Sequence, residues 1–253
     1  MSEQHGKTIA KTNVIRAKLA SGEGSPFQTY KALTVGASCS LWAFIRYEIL
    51  TSLLGPLPGA AGYLLRKIFY RKLFAGVGRG LIIGRNVVIR HPGRIRLGNN
   101  VTIDDNTIID GRGAGAAGVV LEDNVLVNRN CMILAKTGPI RIGKKTSIGS
   151  NSVIVSISGV SIGESVLTAG GLYISAGAYR FDDPDIPVMD HDAYSTGPVE
   201  IGDGAWMGTR VTVLDGVRIG EGAVVGACSM VNKELPPFAV AVGTPARVVR
   251  SRR

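Results

Sequence analysis

The feature that most constrains this chain is an aliphatic residue at every sixth position. From Ile201 onward the series is Ile201, Met207, Val213, Ile219, Val225 and Val231. The same frame recurs upstream, with Thr168 as the polar departure, at Ile83 and Ile89, at Leu97, Ile103 and Ile109, at Leu121, Val127 and Ile133, at Ile142, Ile148 and Ile154, and at Ile162, Thr168 and Ile174. An α-helix would repeat its apolar residues about every 3.6 positions and a strand every second position, so neither explains the pattern.

A short strand followed by a corner fits a period of six. Three such units close a triangular coil of about 18 residues, which buries its aliphatic side chains only when coils stack. Glycine, Asn and Asp beside the expected corners, as in residues 98–100 (GNN), tolerate the positive φ of a sharp turn. With 34 Gly and 6% aromatic residues, the composition also favours many tight turns over a sandwich filled with rings. We therefore predict a β-solenoid.

This pattern resembles that of the hexapeptide-repeat transferases over about residues 81–250. Each unit has Leu, Ile or Val, then Gly, two variable residues and a small residue. The stretches 201–209, 226–237 and 243–250 are more specific and are similar to the galactoside and maltose O-acetyltransferase branch. The resemblance implies an all-β fold, a left-handed parallel β-helix of hexapeptide repeats with an N-terminal helical segment. The handedness comes from the resemblance, because the period alone does not give it.

The N-terminal segment differs from the repeats in charge. Of the net charge of +10, residues 1–80 carry +8, with 11 Lys and Arg against 3 Glu. Two apolar stretches, 41–54 and 60–74, flank the breaker GPLPG and predict two amphipathic helices joined by a turn. The expected organisation has three parts: a basic helical segment at 1–80, a β-helix at 81–236 with an excursion at 180–199, and a C-terminal tail at 237–253.

Two interpretations of these helices stay open. Neither stretch reaches the roughly 20 uninterrupted apolar residues of a transmembrane helix. Helices with Lys and Arg on one side could form a peripheral membrane contact through residues 41–74, in the headgroup region of an anionic bilayer. Alternatively, they could pack on the end of the β-helix or on neighbouring subunits. The two arrangements are compatible.

Other features narrow the class of protein. Cys39, Cys131 and Cys228 are widely spaced and predict neither a disulfide framework nor a zinc site, and no secretory signal is readable near the N-terminus. We therefore expect a cytoplasmic protein, with the inner membrane face as an alternative position, and no metal. The basic residues accompany apolar helices rather than a reader motif, so no nucleic-acid partner is expected.

The resemblance implies a mechanism as well. In enzymes of that branch, homotrimers bind acetyl-coenzyme A between adjacent β-helices, and a His on the excursion acts as general base on the acceptor hydroxyl. A gapless alignment from residues 162–164 (IGE) places that His at Tyr179. A tyrosine is a poor base, because its ordinary pKa is about 10.

His191 is the best substitute among His5, His91 and His191. It lies in the same excursion between Asp190 and Asp192, either of which could orient its ring. The alternative is a solvated loop His without a role.

Binding residues follow from the same resemblance. Asn130 matches an acceptor-side Asn, although a corner Asn of the repeat explains it equally well. The candidates for the acceptor on the excursion are Asp182, Asp183 and Asp185, which could instead cap the turn before Pro184. The positions that match the cofactor groove are Trp206 and Thr209 near the thiol end, Ala227 along the pantetheine arm, Asn232 and Lys233 at a Thr-Lys pair, and Arg247 and Arg250 for the phosphates.

These residues favour an acetyl-CoA-dependent O-acetyltransferase that acts on a small-molecule or lipid-linked sugar or glycan precursor. The alternative hypothesis is a non-catalytic relative, a pseudoenzyme or scaffold, because Tyr179 stands where the resemblance expects the catalytic His. A β-helical carbonic anhydrase would need three His at a zinc site and is disfavoured.

Overall fold

The computed structural model describes residues 25–253 and, before them, the two-residue strand β1 (Lys7–Thr8). The described residues form the expected left-handed parallel β-helix, with seven coils of three short strands each. Strands of successive coils pair in parallel and build three flat faces. His5 lies outside the described residues.

Each face is one sheet. The first face holds β2 (Gly76–Val77), β5 (Ile95–Leu97), β8 (Val119–Leu121), β11 (Ile140–Ile142), β14 (Val160–Ile162), β19 (Val199–Ile201) and β22 (Arg218–Ile219). The second face holds β3 (Ile82–Ile83), β6 (Thr102–Ile103), β9 (Leu126–Val127), β12 (Ser147–Ile148), β15 (Leu167–Thr168), β20 (Trp206–Met207), β23 (Val224–Val225), β25 (Ala239–Gly243) and β26 (Ala246–Ser251). The third face holds β4 (Val88–Arg90), β7 (Ile108–Asp110), β10 (Met132–Ala135), β13 (Val153–Ser156), β16 (Tyr173–Ala176), β21 (Thr212–Val213) and β24 (Met230–Val231).

The residues of the six-residue period point inward and form one continuous core. Their side chains are buried on all three faces, as for Ile142, Ile148 and Ile154 of a single coil. The polar departure, Thr168, is also buried, and its Oγ1 accepts a hydrogen bond from the Gly149 N–H at 2.9 Å. A hydroxyl is therefore tolerated here because the corner of the preceding coil supplies its partner.

Asparagine builds the corner between the second and third faces in the first four coils. The residues there with positive φ are Asn86, Asn106, Asn130 and Asn151. Their side-chain amides bond in pairs along the solenoid: Asn86 Nδ2 donates to Asn106 Oδ1 at 3.3 Å, and Asn130 Nδ2 donates to Asn151 Oδ1 at 3.2 Å. Asparagine suits this place because it tolerates the left-handed region and can bond to its neighbour in the next coil.

Within residues 25–253, three helices precede the first coil, where the sequence predicts two. They are α1 (Pro26–Thr34), α2 (Leu41–Leu54) and α3 (Gly59–Phe69), and a short 3-10 helix, Tyr70–Lys72, follows α3. Helix α2 has the predicted bounds, whereas the second predicted helix ends as an α-helix five residues before Phe74. Helix α1 was not predicted, although Ser25 and Gln28 form a reciprocal capping box at its start.

The helices pack on the first coil. The Tyr47 hydroxyl donates to the Ile89 carbonyl at 2.7 Å, and Tyr47 belongs to the same core as the coils. Arg66, a charged residue within the second apolar stretch, is 3% exposed and donates from Nε to the Ile83 carbonyl at 3.0 Å. Its Nη1 donates to the carbonyls of Leu54 and Leu57 at 2.8 and 2.7 Å. The burial is tolerated because several backbone carbonyl oxygens accept hydrogen bonds from the guanidinium in place of water.

The C-terminal residues 237–253 are not a free tail. Strands β25 and β26 form an antiparallel hairpin that continues the second face beyond the seventh coil. Among residues 25–253, none of the helices combines the length and apolarity needed to cross a bilayer.

Candidate functional site

The excursion leaves the third face after β16 as a small antiparallel sheet. Strand β17 (Ala178–Tyr179) pairs with β18 (Ala193–Ser195), and β1 pairs with the other edge of β18. Gly177 starts it with φ +144°, and a Cβ at this residue would lie 2.6 Å from the Ile157 Cβ. A side chain is therefore excluded at this exit point.

The carboxylate of Asp215, one coil further on, fixes the end of the excursion. It accepts hydrogen bonds from the Ser195 hydroxyl at 2.6 Å and from the Thr196 hydroxyl at 2.9 Å, and the Thr196 N–H also donates to it. Sequence inspection missed Asp215, because nothing in the six-residue pattern distinguishes it from another corner residue.

Tyr179 occupies the base of the excursion, opposite Ala193, and is 45% exposed. The exposed side chain is thus available to a ligand at this point. The described residues give Tyr179 no hydrogen-bonded partner that would make its hydroxyl a base.

His191 is held inside the loop by backbone groups. Its Nε2 lies 3.1 Å from the carbonyl oxygens of both Asp183 and Ile186. Carbonyl oxygens only accept, so Nε2 carries the hydrogen and Nδ1 has the free lone pair in the neutral ring. The ion pairs of the described residues do not include one between His191 and Asp190 or Asp192, so an orienting role for either carboxylate stays a prediction.

Asp182, Asp183 and Asp185 of the excursion are exposed and are partly engaged within the loop. Asp183 Oδ1 accepts from the Asp185 N–H at 3.0 Å, and Asp182 lies 3.4 Å from Arg180. Desolvation raises the pKa of Asp182, but backbone N–H donors and Arg180 lower it by more, so the net pKa falls below its ordinary value. Asp182 is therefore a weak base and a better candidate for holding a polar acceptor.

Asn130 does not lie at the corner from which the excursion leaves the solenoid. It lies at the corner between the second and third faces, within the asparagine stack, whereas the excursion leaves the far side of the third face. The corner interpretation of Asn130 therefore has a structural partner in Asn151.

A straight outer stripe on the second face joins two of the predicted cofactor residues. Outward residues of successive strands align in register as Leu167, Trp206, Val224, Val240 and Arg250. Directly opposed residues of paired strands share one side of a sheet, so Trp206 and Arg250 lie on the same outer surface. Three strand spacings separate them, roughly 14 Å. Trp206 is 49% exposed.

The corner beside this stripe holds Thr209 and Ala227, both exposed. The Cys228 N–H donates to the Thr209 carbonyl at 2.8 Å, and the Thr244 hydroxyl donates to the Cys228 carbonyl at 3.3 Å. Trp206, Thr209, Ala227 and the C-terminal hairpin therefore form one surface. Arg247 lies on this hairpin opposite Val242.

Asn232 and Lys233 lie elsewhere in the protomer. They follow β24 at the corner between the third and first faces, so the whole width of the third face separates them from Thr209 and Ala227. Within one protomer, the predicted cofactor residues therefore lie at two different corners of the solenoid.

Comparison with known proteins agrees with this architecture. The family model for bacterial transferase hexapeptide (six repeats) matches residues 198–233, and the model for the hexapeptide repeat of succinyl-transferase matches residues 139–176. A protein of Escherichia coli named as a lipopolysaccharide biosynthesis O-acetyl transferase, WbbJ, is 31% identical over 194 residues, which cover 74% of this chain and 83% of that protein.

Two further proteins are similar. A protein of Mycobacterium tuberculosis named as an acetyltransferase is 39% identical over 121 residues, or 48% of this chain, but the match spans 40% of that relative's length. The crystal structure of a variant of AntD, an N-acyltransferase from Bacillus cereus, in complex with dTDP and coenzyme A, has a TM-score of 0.51 and 25% identity. It covers 73% of this chain and 88% of AntD. The chain therefore belongs to the hexapeptide-repeat acyltransferase family.

Proposed function

We propose that this protein is an O-acetyltransferase that transfers the acetyl group of acetyl-CoA to a hydroxyl of a sugar or glycan precursor, either a small molecule or a lipid-linked saccharide. The E. coli relative named for lipopolysaccharide O-acetylation supports the acceptor class. The coenzyme A in the AntD complex supports a coenzyme A thioester as donor. The reaction would take place in the cytoplasm, where this donor is supplied.

The outer stripe of the second face is the observation that carries this proposal. Trp206 and Val224 offer an apolar surface for the pantetheine arm, and the stripe ends at Arg250. A guanidinium pairs well with phosphate oxygens, so the nucleotide end of the cofactor would lie at the hairpin and the thioester near Trp206.

A homotrimer would complete this groove. A cyclic trimer joins two different surfaces of each protomer, and two faces here have apolar exteriors. The second face exposes Ile82, Leu126, Leu167 and Trp206, and the third exposes Val88 and Tyr173. The first face instead carries ion pairs between Arg141 and Glu122 and between Arg218 and Glu200. If the second face meets the third face of a neighbour, Lys233 of the partner subunit approaches the stripe.

His191 is the proposed general base. Its Nε2 is bound to loop carbonyls, and this leaves Nδ1 to take the proton of the attacking hydroxyl. The hydroxyl oxygen then attacks the thioester carbon, the C–S bond breaks, and the protonated His191 returns its proton to the leaving thiolate, which departs as coenzyme A. Asp182, Asp183 and Asp185 are proposed to hold the acceptor, with Asn130 of an adjacent subunit on its other side.

The decisive experiment is thiol release from acetyl-CoA by the purified protein, with nucleotide sugars and lipid-linked saccharides as acceptors and mass spectrometry of the products. We expect His191→Gln to lower kcat by about 10²–10⁴-fold, because the glutamine amide replaces the Nε2 donor but supplies no base. If His191 only holds the loop, His191→Gln should keep its turnover while His191→Ala loses it.

Absence of turnover for every acceptor, with coenzyme A still bound, would overturn the enzymatic proposal. Light scattering tests the assembly separately: a monomeric mass for the native protein would exclude the shared groove.

A further inference from the structure

Helices α2 and α3 expose an apolar surface that the fold does not use. We define the helical patch as Trp42, Ile49 and Leu53 of α2 with Leu64 and Ile68 of α3. Trp42 is 81% exposed, Leu53 64% and Ile68 57%. Large apolar side chains grouped on adjacent helices mark an interaction surface rather than ordinary surface variation.

The patch lies on the side of the helices away from the coils. Tyr47 and Arg66 face the solenoid, where both are buried and bond to carbonyls of the first coil. Phe44, also buried, packs against Phe27 and Tyr30 of α1. Trp42, Ile49 and Leu53 follow one another at intervals of seven and four residues, which keeps them on one side of α2. The contacts with the coil therefore fix the direction in which the patch faces.

Cations accompany the patch. Arg46 is exposed on α2, Lys67 lies on α3, and Arg71 and Lys72 are exposed directly after it. The one acidic residue in these two helices, Glu48, accepts a hydrogen bond from the Tyr30 hydroxyl at 3.0 Å. An apolar surface with a cationic margin complements an anionic bilayer, in which acyl chains take up the apolar side chains and headgroups attract Lys and Arg.

We infer that the helical patch docks on the headgroup region of an anionic phospholipid bilayer, so that the solenoid stands with its first coil against the membrane and its C-terminal hairpin away from it. The helices lie in the interface, since none described is long and apolar enough to cross. In a trimer with a threefold axis along the solenoid, three patches face one plane, and their combined avidity strengthens weak single contacts. This inference goes beyond the proposed acetyl transfer and does not depend on it.

Tryptophan fluorescence tests the contact directly. The chain has two tryptophans, Trp42 and Trp206, so Trp206→Phe leaves Trp42 as the sole reporter. Vesicles of phosphatidylglycerol and phosphatidylcholine should shift its emission to shorter wavelength, and brominated lipids should quench it. The matched variant Trp42→Phe, which reports from Trp206, should show neither change.

Vesicle flotation measures the strength of binding. We expect Leu53→Asp/Ile68→Asp to abolish flotation with anionic vesicles, while Val120→Asp, a half-buried outward residue of the first face, floats as the native protein does. Arg46→Gln/Lys72→Gln should weaken binding by about tenfold or more. The charge-matched control Arg96→Gln/Arg218→Gln should not.

Two results would overturn the inference. One is equal flotation of Leu53→Asp/Ile68→Asp and the native protein. The other is a Trp42 emission that is already at short wavelength and does not respond to vesicles, which would mean that a second protein surface covers the patch. Both measurements are independent of acetyl transfer, so loss of activity cannot be mistaken for loss of membrane contact.

Discussion

The first and second faces share one backbone plan and one kind of interior, but their exteriors differ. Inside, aliphatic residues such as Ile162 and Met207 stack in the same core. Outside, the first face aligns Arg96, Val120, Arg141, Ser161, Glu200 and Arg218, whereas the second aligns Ile82, Thr102, Leu126, Ser147, Leu167, Trp206 and Val224. The inward residues therefore specify the fold, and the outward residues decide what each face can bind.

The largest effect on stability is expected from a substitution in the core. Ile162→Ala should lower the free energy of unfolding by about 2–5 kcal/mol, because a fully buried side chain leaves a cavity between coils. Leu167→Ala, on the outside of the next strand, should cost the isolated protomer far less. Urea denaturation of both variants measures the difference; equal losses would contradict the division between inward and outward residues.

A smaller effect is expected from a substitution on the outer surface of the second face. Trp206→Ala should weaken acetyl-CoA binding by roughly tenfold or more, because an aromatic side chain at the centre of a contact surface contributes strongly. Arg96→Ala on the first face provides the comparison and should leave the affinity unchanged. Isothermal titration calorimetry gives both dissociation constants. Equal affinities for the two variants would contradict the proposal that the cofactor binds along this stripe.

The buried side chain of His91 makes the stability of the protein depend on pH. His91 is 7% exposed, and burial lowers its pKa below the ordinary value of 6.5, although Asp110 opposes this shift. The unfolded chain therefore binds the proton more readily, so this contribution to stability is complete above pH 6.5 and is lost as the pH falls through the lower folded pKa.

His91→Asn tests this pH dependence, because asparagine also tolerates the φ of 52° at this residue. Its free energy of unfolding should fall less steeply below pH 6.5 than that of the native protein. Parallel curves for the two proteins would show that His91 does not contribute.

The smallest effect is expected on the exterior of the first face. Arg141→Gln removes the pair with Glu122 at 2.7 Å, but the arginine side chain is 51% exposed. A surface ion pair of this kind contributes about 0.2–1 kcal/mol. If Arg141→Gln lowered the free energy of unfolding as much as Ile162→Ala in the same urea experiment, the outer surface of the first face would contribute to stability as strongly as the core.

The period was sufficient to predict the coils because each inward residue repeats one local environment. It could not predict the burial of Arg66, whose partners are carbonyls brought together by helix packing. A predictable feature was also missed: the Ser25 and Gln28 capping box marks the start of α1.

The candidate site was harder to anticipate. The alignment of Trp206 with Arg250 depends on a hairpin whose register shifts between Val240 and Ala241. The carbonyl partners of His191 likewise depend on the path of a loop outside the repeat. The roles of His191, Asn130 and Lys233 in catalysis and binding stay predictions.

The hairpin β25–β26 has a consequence for polymerisation. Stacked coils leave an unpaired strand edge at each end, onto which another chain could add and extend the stack into a fibre. Helices α2 and α3 pack on the first coil at the N-terminal end, and β26 is the last strand of the second face at the other end. Arg247, Arg250, Arg252 and Arg253 concentrate positive charge there, and two such ends repel each other. Both ends of the described solenoid therefore disfavour the addition of another copy end to end.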